Sequence, residues 1–342
     1  MNSRCLICGK ECPSGEYHRD CARSLFGSET APSFTYSTEE LNRLARNLIT
    51  AHVSVPGVQA KLSLHLERSA EGDDRLTLVG LEGDYILKLP TAAYPELPES
   101  EHFAMTLARH CGITTAEFGL VRLASGALAY LTRRMDREHG VKAMEDFCQL
   151  TERPTEKKYF GSYEQIGKLI RRHAAFGGVD TLRFLEVILF SYLIGNNDMH
   201  LKNFSLLREP DGAWNLSPAY DLVPVQMLLP SDPEELALTL NGKKRRLTAA
   251  DFAAFASTLN LTPRQYERTL KRLTARLTAS LDATLSASFL SESFITRLRA
   301  QLKVKLLIFK SKEVVAKPPA DGGRGATALP KTPQNRAFLR IR

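Results

Sequence analysis

Three polar residues in one short stretch have the types and order that phosphoryl transfer requires. Asp198 and Asn203 lie five positions apart, and Asp221 follows after a turn predicted at Pro210-Asp211-Gly212. One carboxylate can orient an attacking hydroxyl, while an amide oxygen and a second carboxylate hold Mg²⁺ against nucleotide phosphates. Taken singly, each residue is more typical of a helix cap or a turn. Whether they act together therefore depends on the element that positions them.

The segment before this stretch is predicted to be a buried helix. Residues 180–194 carry apolar side chains at helical spacing, with Asp180 as the predicted N-cap and Gly195 as the predicted end. The polar stretch thus begins where a rigid core element ends. A loop in that place is held precisely enough for catalysis.

The sequence GNNDMHLKNFSLL, followed by SPAYDLVP, resembles the catalytic and metal-binding segments of the HipA family. Members of that family are serine/threonine kinase toxins of bacterial toxin–antitoxin systems. The Asp-x-x-x-x-Asn spacing is also that of protein-kinase catalytic loops, although the flanking HRD and DFG letters are absent. The resemblance implies that Asp198 is the catalytic base, that Asn203 and Asp221 bind Mg²⁺, and that His200 orders the loop.

A second segment, SVPGVQAK, resembles the same family. The family has a phosphate-binding loop S-x-x-G-x-Q-x-K whose serine becomes autophosphorylated, and the matching residues here are Ser54, Gly57, Gln59 and Lys61. Judged from the residues alone, Gly57 lets backbone amides approach a phosphate and Lys61 supplies positive charge. The alternative is a simple turn before a strand predicted from Ala60 onward.

Residues 75–90 are predicted to form a hairpin that turns at Glu82-Gly83-Asp84. Its second strand carries Lys88 between apolar neighbours. Most such lysines extend to water, but in a kinase a lysine on this strand contacts the nucleotide phosphates and pairs with a glutamate of the next helix. Glu101 precedes an apolar helical pattern that ends at Gly112, and we predict a Lys88–Glu101 pair.

The segment ALAYLTRRMDRE is predicted to join two lobes. By the same resemblance, the backbone from Arg133 to Met135 faces adenine and Asp136 faces the ribose. A plain alternative is that Asp136 pairs with Arg134 or Arg137.

Four residues near the N-terminus have the spacing of a metal site. Cys5, Cys8, His18 and Cys21 form a C-x2-C-x9-H-x2-C array. Thiolates and an imidazole can complete a tetrahedral Zn²⁺ shell, and so short a segment buries too little apolar surface to fold unaided. Unmetallated thiols are the alternative, and Cys12 is a competing ligand. We predict a structural Zn²⁺ site.

The composition is that of a soluble globular protein, with 342 residues, 43% of them hydrophobic and 25% charged. Residues 310–342 hold eight basic and two acidic residues, and so carry most of the formal net charge of +8. This tail is predicted to be disordered and to carry any direct affinity for polyanions. The sequence lacks a membrane-spanning run and a signal peptide, and its cysteines suit a reducing compartment, so we predict a cytoplasmic protein.

Together these features predict an α+β, two-lobed, protein-kinase-like fold of the HipA type. A zinc knuckle (1–27) would precede a mixed β-sheet N-lobe with the phosphate-binding loop (28–135), an all-helical C-lobe with the catalytic loop (136–310) and the basic tail (311–342). ATP would bind in the cleft between the lobes.

The resemblance implies an ATP-dependent serine/threonine protein kinase that acts as a toxin, modifies an aminoacyl-tRNA synthetase or another translation protein, and autophosphorylates at Ser54. The short region before the phosphate loop is similar to a HipT-like form, in which a separate small protein replaces an N-terminal subdomain. That protein and a helix-turn-helix antitoxin are the implied partners, with DNA bound only through the antitoxin. Two alternatives stay open: a catalytically degenerate zinc-knuckle protein with a binding or regulatory role, and a kinase of a lipid or small molecule.

Overall fold

The computed structural model describes residues 4–13, 15–50, 59, 61–70, 73–80, 82–137 and 140–310. Ser54 and Gly57 of the predicted phosphate loop lie outside the described residues, as does the predicted tail at 311–342.

Among the described residues, five antiparallel strands form the sheet of the N-terminal half. They are β1 (Lys61–Glu67), β2 (Arg75–Val79), β3 (Tyr85–Lys88), β4 (Phe118–Arg122) and β5 (Leu128–Arg133), in the spatial order β2-β1-β3-β5-β4. The leucines of β1 alternate with polar residues, and this places every second side chain in the core. β1 is thus the strand that was predicted from its alternation.

The predicted hairpin over residues 75–90 is wrong. The described residues of β2 and β3 both pair with β1, one on each side of it, and not with each other. The predicted turn packs against β1 instead, since Gly83 N–H donates to Ser63 Oγ at 2.9 Å. A Cβ at Gly83 would meet the Leu64 carbonyl oxygen at 2.4 Å, so this approach requires glycine. An alternating pattern identifies a strand but not its neighbour.

Three helices accompany this sheet: α1 (Arg19–Phe26), α2 (Thr38–Thr50) and α3 (Leu97–His110). α2 begins with a capping box, in which Glu40 N–H donates to Ser37 Oγ at 3.2 Å and Ser37 N–H donates to the Glu40 carboxylate at 2.7 Å. α3 packs across β4 and β5, and most of its side chains are buried. It is therefore firmly attached to the strands that it must align.

The second half of the chain is mainly helical. Its helices are α4 (Tyr163–His173), α5 (Gly177–Ile194), α6 (Val225–Leu228), α7 (Ala249–Thr258), α8 (Pro263–Ala287) and α9 (Glu292–Lys310). α5 is the buried helix predicted from the sequence, and Gly195 ends it with φ +75°. Asp180 is not its N-cap: it lies in the first turn, and its carboxylate accepts the Leu216 N–H at 3.0 Å. No helix in the described part of the chain has the length and apolar character needed to cross a membrane.

The prediction that residues 136–310 are all helical is wrong in one respect. A small antiparallel sheet of β6 (Met144–Asp146), β7 (Ser205–Arg208) and β8 (Trp214–Leu216) lies among the helices. Such short strands give too weak a periodic signal to be recognised in a sequence. The predicted turn at Pro210-Asp211-Gly212 joins β7 to β8. Beyond this hairpin the Tyr220 hydroxyl donates to the Lys202 carbonyl oxygen at 2.9 Å, so the residues that precede Asp221 and Asn203 lie in contact.

Candidate active site

Four predicted residues form one buried cluster of charges between the sheet and the helical half. Lys88 Nζ lies 2.6 Å from Glu101 Oε1 and also contacts Asp221 Oδ1, while Lys61 Nζ lies 3.6 Å from Asp221 Oδ2. Lys61 and Lys88 stand opposite each other in the β1–β3 register. Because opposite residues project from the same face of a sheet, both ammonium groups reach the same carboxylate.

Burial and mutual attraction set the charges in this cluster. Burial by itself would raise the pKa of Asp221, but Lys61 and Lys88 outweigh it and hold that pKa below its ordinary value. Burial also opposes the charge on Lys88, yet the carboxylates of Asp221 and Glu101 keep its pKa above the ordinary value. Burial lowers the pKa of Lys61 to about 8 and raises that of Glu101 to about 7. Lys61 and Glu101 therefore change charge near neutral pH, whereas Asp221 stays ionised.

Asp221 has an unusual backbone conformation. Its φ is +62°, in the left-handed region that residues other than glycine rarely adopt. Such a conformation costs about 1 kcal/mol or more and is found mainly at functional sites. Asn196 Nδ2 donates to the Asp221 carbonyl oxygen at 3.4 Å and helps to hold it.

The predicted catalytic loop follows α5 and ends in a single 3-10 turn, Leu201–Asn203. Asn196 Oδ1 accepts the Asp198 N–H at 3.2 Å, so one asparagine contacts the backbones of both Asp198 and Asp221. Asn203 Nδ2 donates to the Asp198 carbonyl oxygen at 3.4 Å. With its nitrogen used in this way, the Asn203 oxygen is the atom that can bind a cation. Asp198, Asn203 and Asp221 thus belong to one connected group.

His200 lies inside this loop and is almost completely buried. Its backbone N–H donates to the Asp198 carbonyl oxygen at 2.8 Å, and its ring packs edge-on against Tyr159. Neither ring nitrogen has a hydrogen-bond partner among the described residues. Burial lowers the pKa of His200 well below its ordinary value, so the ring is neutral. These features fit the predicted loop-ordering role.

Tyr159 is a site residue that the sequence did not reveal. Its hydroxyl donates to Asp198 Oδ1 at 2.6 Å. The preceding Lys158 is buried beside it, and the Lys158 carbonyl oxygen accepts the Leu201 N–H at 3.2 Å. The segment holding Tyr159 and Lys158 shows no periodicity or motif, so only the folded chain shows that it contacts the loop. Asn196 was also missed, although it stands within the stretch first singled out.

Of the remaining residues predicted to bind the nucleotide, the structure describes Gln59, Arg133, Met135 and Asp136. Gln59 is buried, and its side-chain amide donates to the Leu89 carbonyl oxygen at 2.9 Å, beyond the end of β3. Arg133 and Met135 line a cavity of about 160 Å³ that also includes Pro218.

Asp136 pairs with Arg134 at 2.8 Å and with Arg137 at 3.0 Å. The structure thus contains the pairs expected from the plain alternative. A contact between Asp136 and ribose remains a prediction.

The donor set of the site suits Mg²⁺. Asp221 offers an ionised carboxylate and Asn203 an amide oxygen, and Mg²⁺ prefers oxygen ligands. Lys88 and Lys61, on the facing strands, carry the charge needed for phosphate groups.

A second group of ligand-type residues lies near the N-terminus. Among the described residues, the sulfur atoms of Cys5, Cys8 and Cys21 and a ring nitrogen of His18 all lie within 4.8 Å of one another. We refer to these four residues as the cysteine–histidine cluster. Cys12 lies outside it, and this favours the predicted ligand set over the alternative with Cys12.

A lysine, a glutamate and an aspartate that meet between a sheet and a helical half, as Lys88, Glu101 and Asp221 do, are characteristic of the kinase-like class of proteins. A family model described as HipA-like C-terminal domain matches residues 53–281. Because this match covers more than half of the chain, the chain belongs to that family.

Several curated proteins are similar to this chain. "Putative kinase Y4dM" of Sinorhizobium fredii is 33% identical over 223 residues, covering 61% of this chain and 54% of the relative. A "Putative kinase" of Haemophilus influenzae is 33% identical over 186 residues, covering 51% and 53%. "Serine/threonine-protein kinase toxin HipA" of Shewanella oneidensis is 30% identical over 237 residues, covering 61% and 52%. The chain spans about half the length of these relatives.

Solved structures of other proteins share the fold, and two of them are compared with this chain here. HipA of Shewanella oneidensis MR-1, in a toxin–antitoxin complex with HipB and operator DNA, superposes with a TM-score of 0.63 at 22% identity, covering 80% of this chain and 73% of that one. The Helicobacter pylori proinflammatory kinase CtkA superposes with a TM-score of 0.51 at 18% identity, covering 68% and 87%. The predicted kinase-like fold class is thereby confirmed.

Proposed function

We propose that this chain is an ATP-dependent serine/threonine protein kinase. The observation that carries the proposal is the position of Lys88, which contacts both Glu101 on α3 and Asp221 beyond the catalytic loop. One lysine can thus align the sheet, α3 and the metal-binding segment around a nucleotide. Burying these charges costs several kcal/mol per ion, so stability alone explains the arrangement poorly and a nucleotide-binding role explains it better.

Each residue of the site has a role in this proposal. Lys88 and Lys61 bind phosphate oxygens, and Asp198 accepts the proton of the attacking hydroxyl group. Asn203 and Asp221 would hold Mg²⁺, which supplies charge neutralisation at the transferred phosphoryl group. Tyr159 restrains the Asp198 carboxylate through its hydrogen bond. Catalysis would then rest on positioning and on electrostatic stabilisation.

The proposed biological role is that of a toxin in a toxin–antitoxin system. It is supported by the similarity to the serine/threonine-protein kinase toxin HipA and by the fold shared with a HipA bound to HipB and operator DNA. A helix-turn-helix antitoxin would then be a partner, with DNA bound through it, together with a small protein in place of an N-terminal subdomain. The proposed substrate is an aminoacyl-tRNA synthetase or another translation protein in the cytoplasm, and Ser54 is the proposed autophosphorylation site.

The test is transfer of phosphate from γ-labelled ATP in a cell lysate that contains Mg²⁺. The wild-type chain should label a protein on serine or threonine, and Asp198→Asn should not. Asp211→Asn, in the exposed β7–β8 turn, is the matched control and should label as the wild type does. Label in a lipid or a small molecule would identify a different acceptor. The absence of both phosphate label and thermal stabilisation by Mg-ATP would indicate a degenerate site and contradict the kinase proposal.

A further inference from the structure

We propose that a Zn²⁺ ion bound by the cysteine–histidine cluster fixes the position of α3, and that metal occupancy thereby controls the Lys88–Glu101 pair. The predicted zinc knuckle would then act as a regulatory clamp on the active site. The importance of that pair rests on the proposed kinase function, whereas the effect of metal on α3 does not.

The geometry of the cluster suits Zn²⁺. His18 Nδ1 lies 3.4 Å from Cys8 Sγ and 3.9 Å from Cys21 Sγ. A tetrahedral site with Zn–S bonds of about 2.3 Å has ligand separations of about 3.8 Å. On the far side of the ring, His18 Nε2–H donates to the Glu11 carbonyl oxygen at 2.8 Å. This bond places the proton on Nε2 and leaves Nδ1 free to bind a metal.

The loop between the first two cysteines is bonded directly to α3 and to the sheet. His102 Nε2–H donates to the Ile7 carbonyl oxygen at 2.7 Å, and Leu120 N–H of the edge strand β4 donates to the Leu6 carbonyl oxygen at 2.8 Å. Leu6 and Ile7 lie between Cys5 and Cys8, so a metal bound to those cysteines would fix both carbonyl groups. His102 follows Glu101 directly in α3, so a movement of the helix at His102 also moves Glu101.

The residues on either side of this loop, Arg4 and Gly9, contact the helical half of the protein. Arg4 Nη1 donates to the Ser288 carbonyl oxygen at 2.8 Å, just beyond the end of α8. A Cβ at Gly9 would meet the Ala287 carbonyl oxygen at 2.1 Å, so the backbone just after Cys8 touches the backbone of α8. The cluster thus connects the sheet, α3 and α8 at one point.

His102 is the positioning residue in this proposal. It is 2% exposed, and its ring packs against the rings of Phe118 and Phe289 at centroid distances of 5.6 and 5.7 Å. Burial lowers the pKa of His102 to about 4, so the ring stays neutral and donates one hydrogen bond. That single bond is the direct path from the cluster loop to α3.

The experiment compares the zinc-loaded full chain with the same chain after chelation. Elemental analysis should find one zinc per wild-type chain, none in Cys8→Ser, and one in the control Cys12→Ser. Hydrogen exchange at α3 amides should become roughly two- to tenfold faster without zinc, a factor equivalent to one net hydrogen bond. Amides of α5 should be unaffected, and added zinc should restore α3.

The His102 variants keep the test independent of folding around the metal. His102→Leu should retain zinc and yet exchange α3 amides faster, whereas His102→Gln, which keeps a donor, should behave as the wild type. A wild-type chain without zinc, or α3 exchange that ignores both the metal and His102→Leu, would overturn the proposal. If α3 responds but the zinc-loaded chain shows neither stabilisation by Mg-ATP nor phosphate transfer, the kinase proposal is contradicted and the effect of zinc on α3 stands.

Discussion

Lys88 Nζ, at the end of β3, lies 2.6 Å from Glu101 Oε1 in the second turn of α3, and the two side chains are only 4% and 1% exposed. Removing two charges from water costs several kcal/mol per ion, and a well-packed apolar pair would often be as stable. The pair is therefore poorly explained by stability alone. Its link to Asp221 explains it better, because the pair aligns elements from three separate parts of the chain.

Glu101→Gln should lower kcat/KM for ATP by roughly 10- to 100-fold, since a hydrogen bond between charged groups contributes about 1.5–3 kcal/mol. The substitution preserves volume, and Lys88 keeps Asp221 as a partner, so the fold should survive. Steady-state kinetics with varied ATP measures the effect. Glu99→Gln on the same helix is the matched control. An unchanged kcat/KM in Glu101→Gln would count against the proposed role of the pair.

Asp198→Asn and Asp221→Asn should fail in different ways. Asp198→Asn removes the base but no predicted metal ligand, so phosphoryl transfer should fall by about 10²- to 10⁴-fold while Mg-ATP still stabilises the protein. Asp221→Asn should lose both activity and Mg²⁺-dependent stabilisation. Transfer assays and thermal unfolding with Mg-ATP separate the two patterns. Substantial transfer by either variant would be inconsistent with the site assignment.

The pH dependence should report on Lys61. An ammonium group is charged below its pKa, and burial lowers that of Lys61 to about 8. In the free enzyme, kcat/KM for ATP should therefore fall as the pH rises through about 8.

Lys61→Arg should remove this alkaline decline, because a guanidinium group does not lose its proton in that range. The acid side of the profile, where Glu101 with a pKa of about 7 takes up a proton, should be shared by both proteins. Identical alkaline limbs would refute the assignment to Lys61.

Ser54 should become phosphorylated when the wild-type chain is incubated with Mg-ATP. Intact-mass measurement should detect one added phosphate on the wild type and none on Ser54→Ala or Asp198→Asn. The last variant is the control for phosphate acquired before purification. A phosphate that persists in Ser54→Ala would assign autophosphorylation to another residue.

Much of the site could be predicted because its signals are local. Asp198 and Asn203 lie in one loop, so their spacing is visible in the sequence. The apolar pattern of α5, which ends at Gly195, is likewise visible in the sequence. The Lys88–Glu101 pair required only the order of a strand and the following helix. In each case the residues that decide the geometry lie within a few turns of one another.

Other features could not be predicted because they depend on contacts between distant segments. The prediction of a hairpin over residues 75–90 was wrong because β1, earlier in the chain, pairs with both β2 and β3. Tyr159 stands 39 positions before Asp198, and its contact arises only when α4 and α5 pack together. Strand pairing and helix packing are chosen by the total apolar surface that they bury, and a local pattern does not contain that sum.

The sequence by itself determined the chemistry: which carboxylates, amides, thiols and lysines are present, and at what spacing along the chain. Tertiary structure alone decided which of them meet, and it placed the Ile7 carbonyl group against His102 and so connected the cysteine–histidine cluster to α3. The physical reason is the distance along the chain over which each kind of interaction acts. Backbone conformation responds to near neighbours in the chain, whereas a buried charge or hydrogen bond is set by whatever the fold brings within a few ångströms.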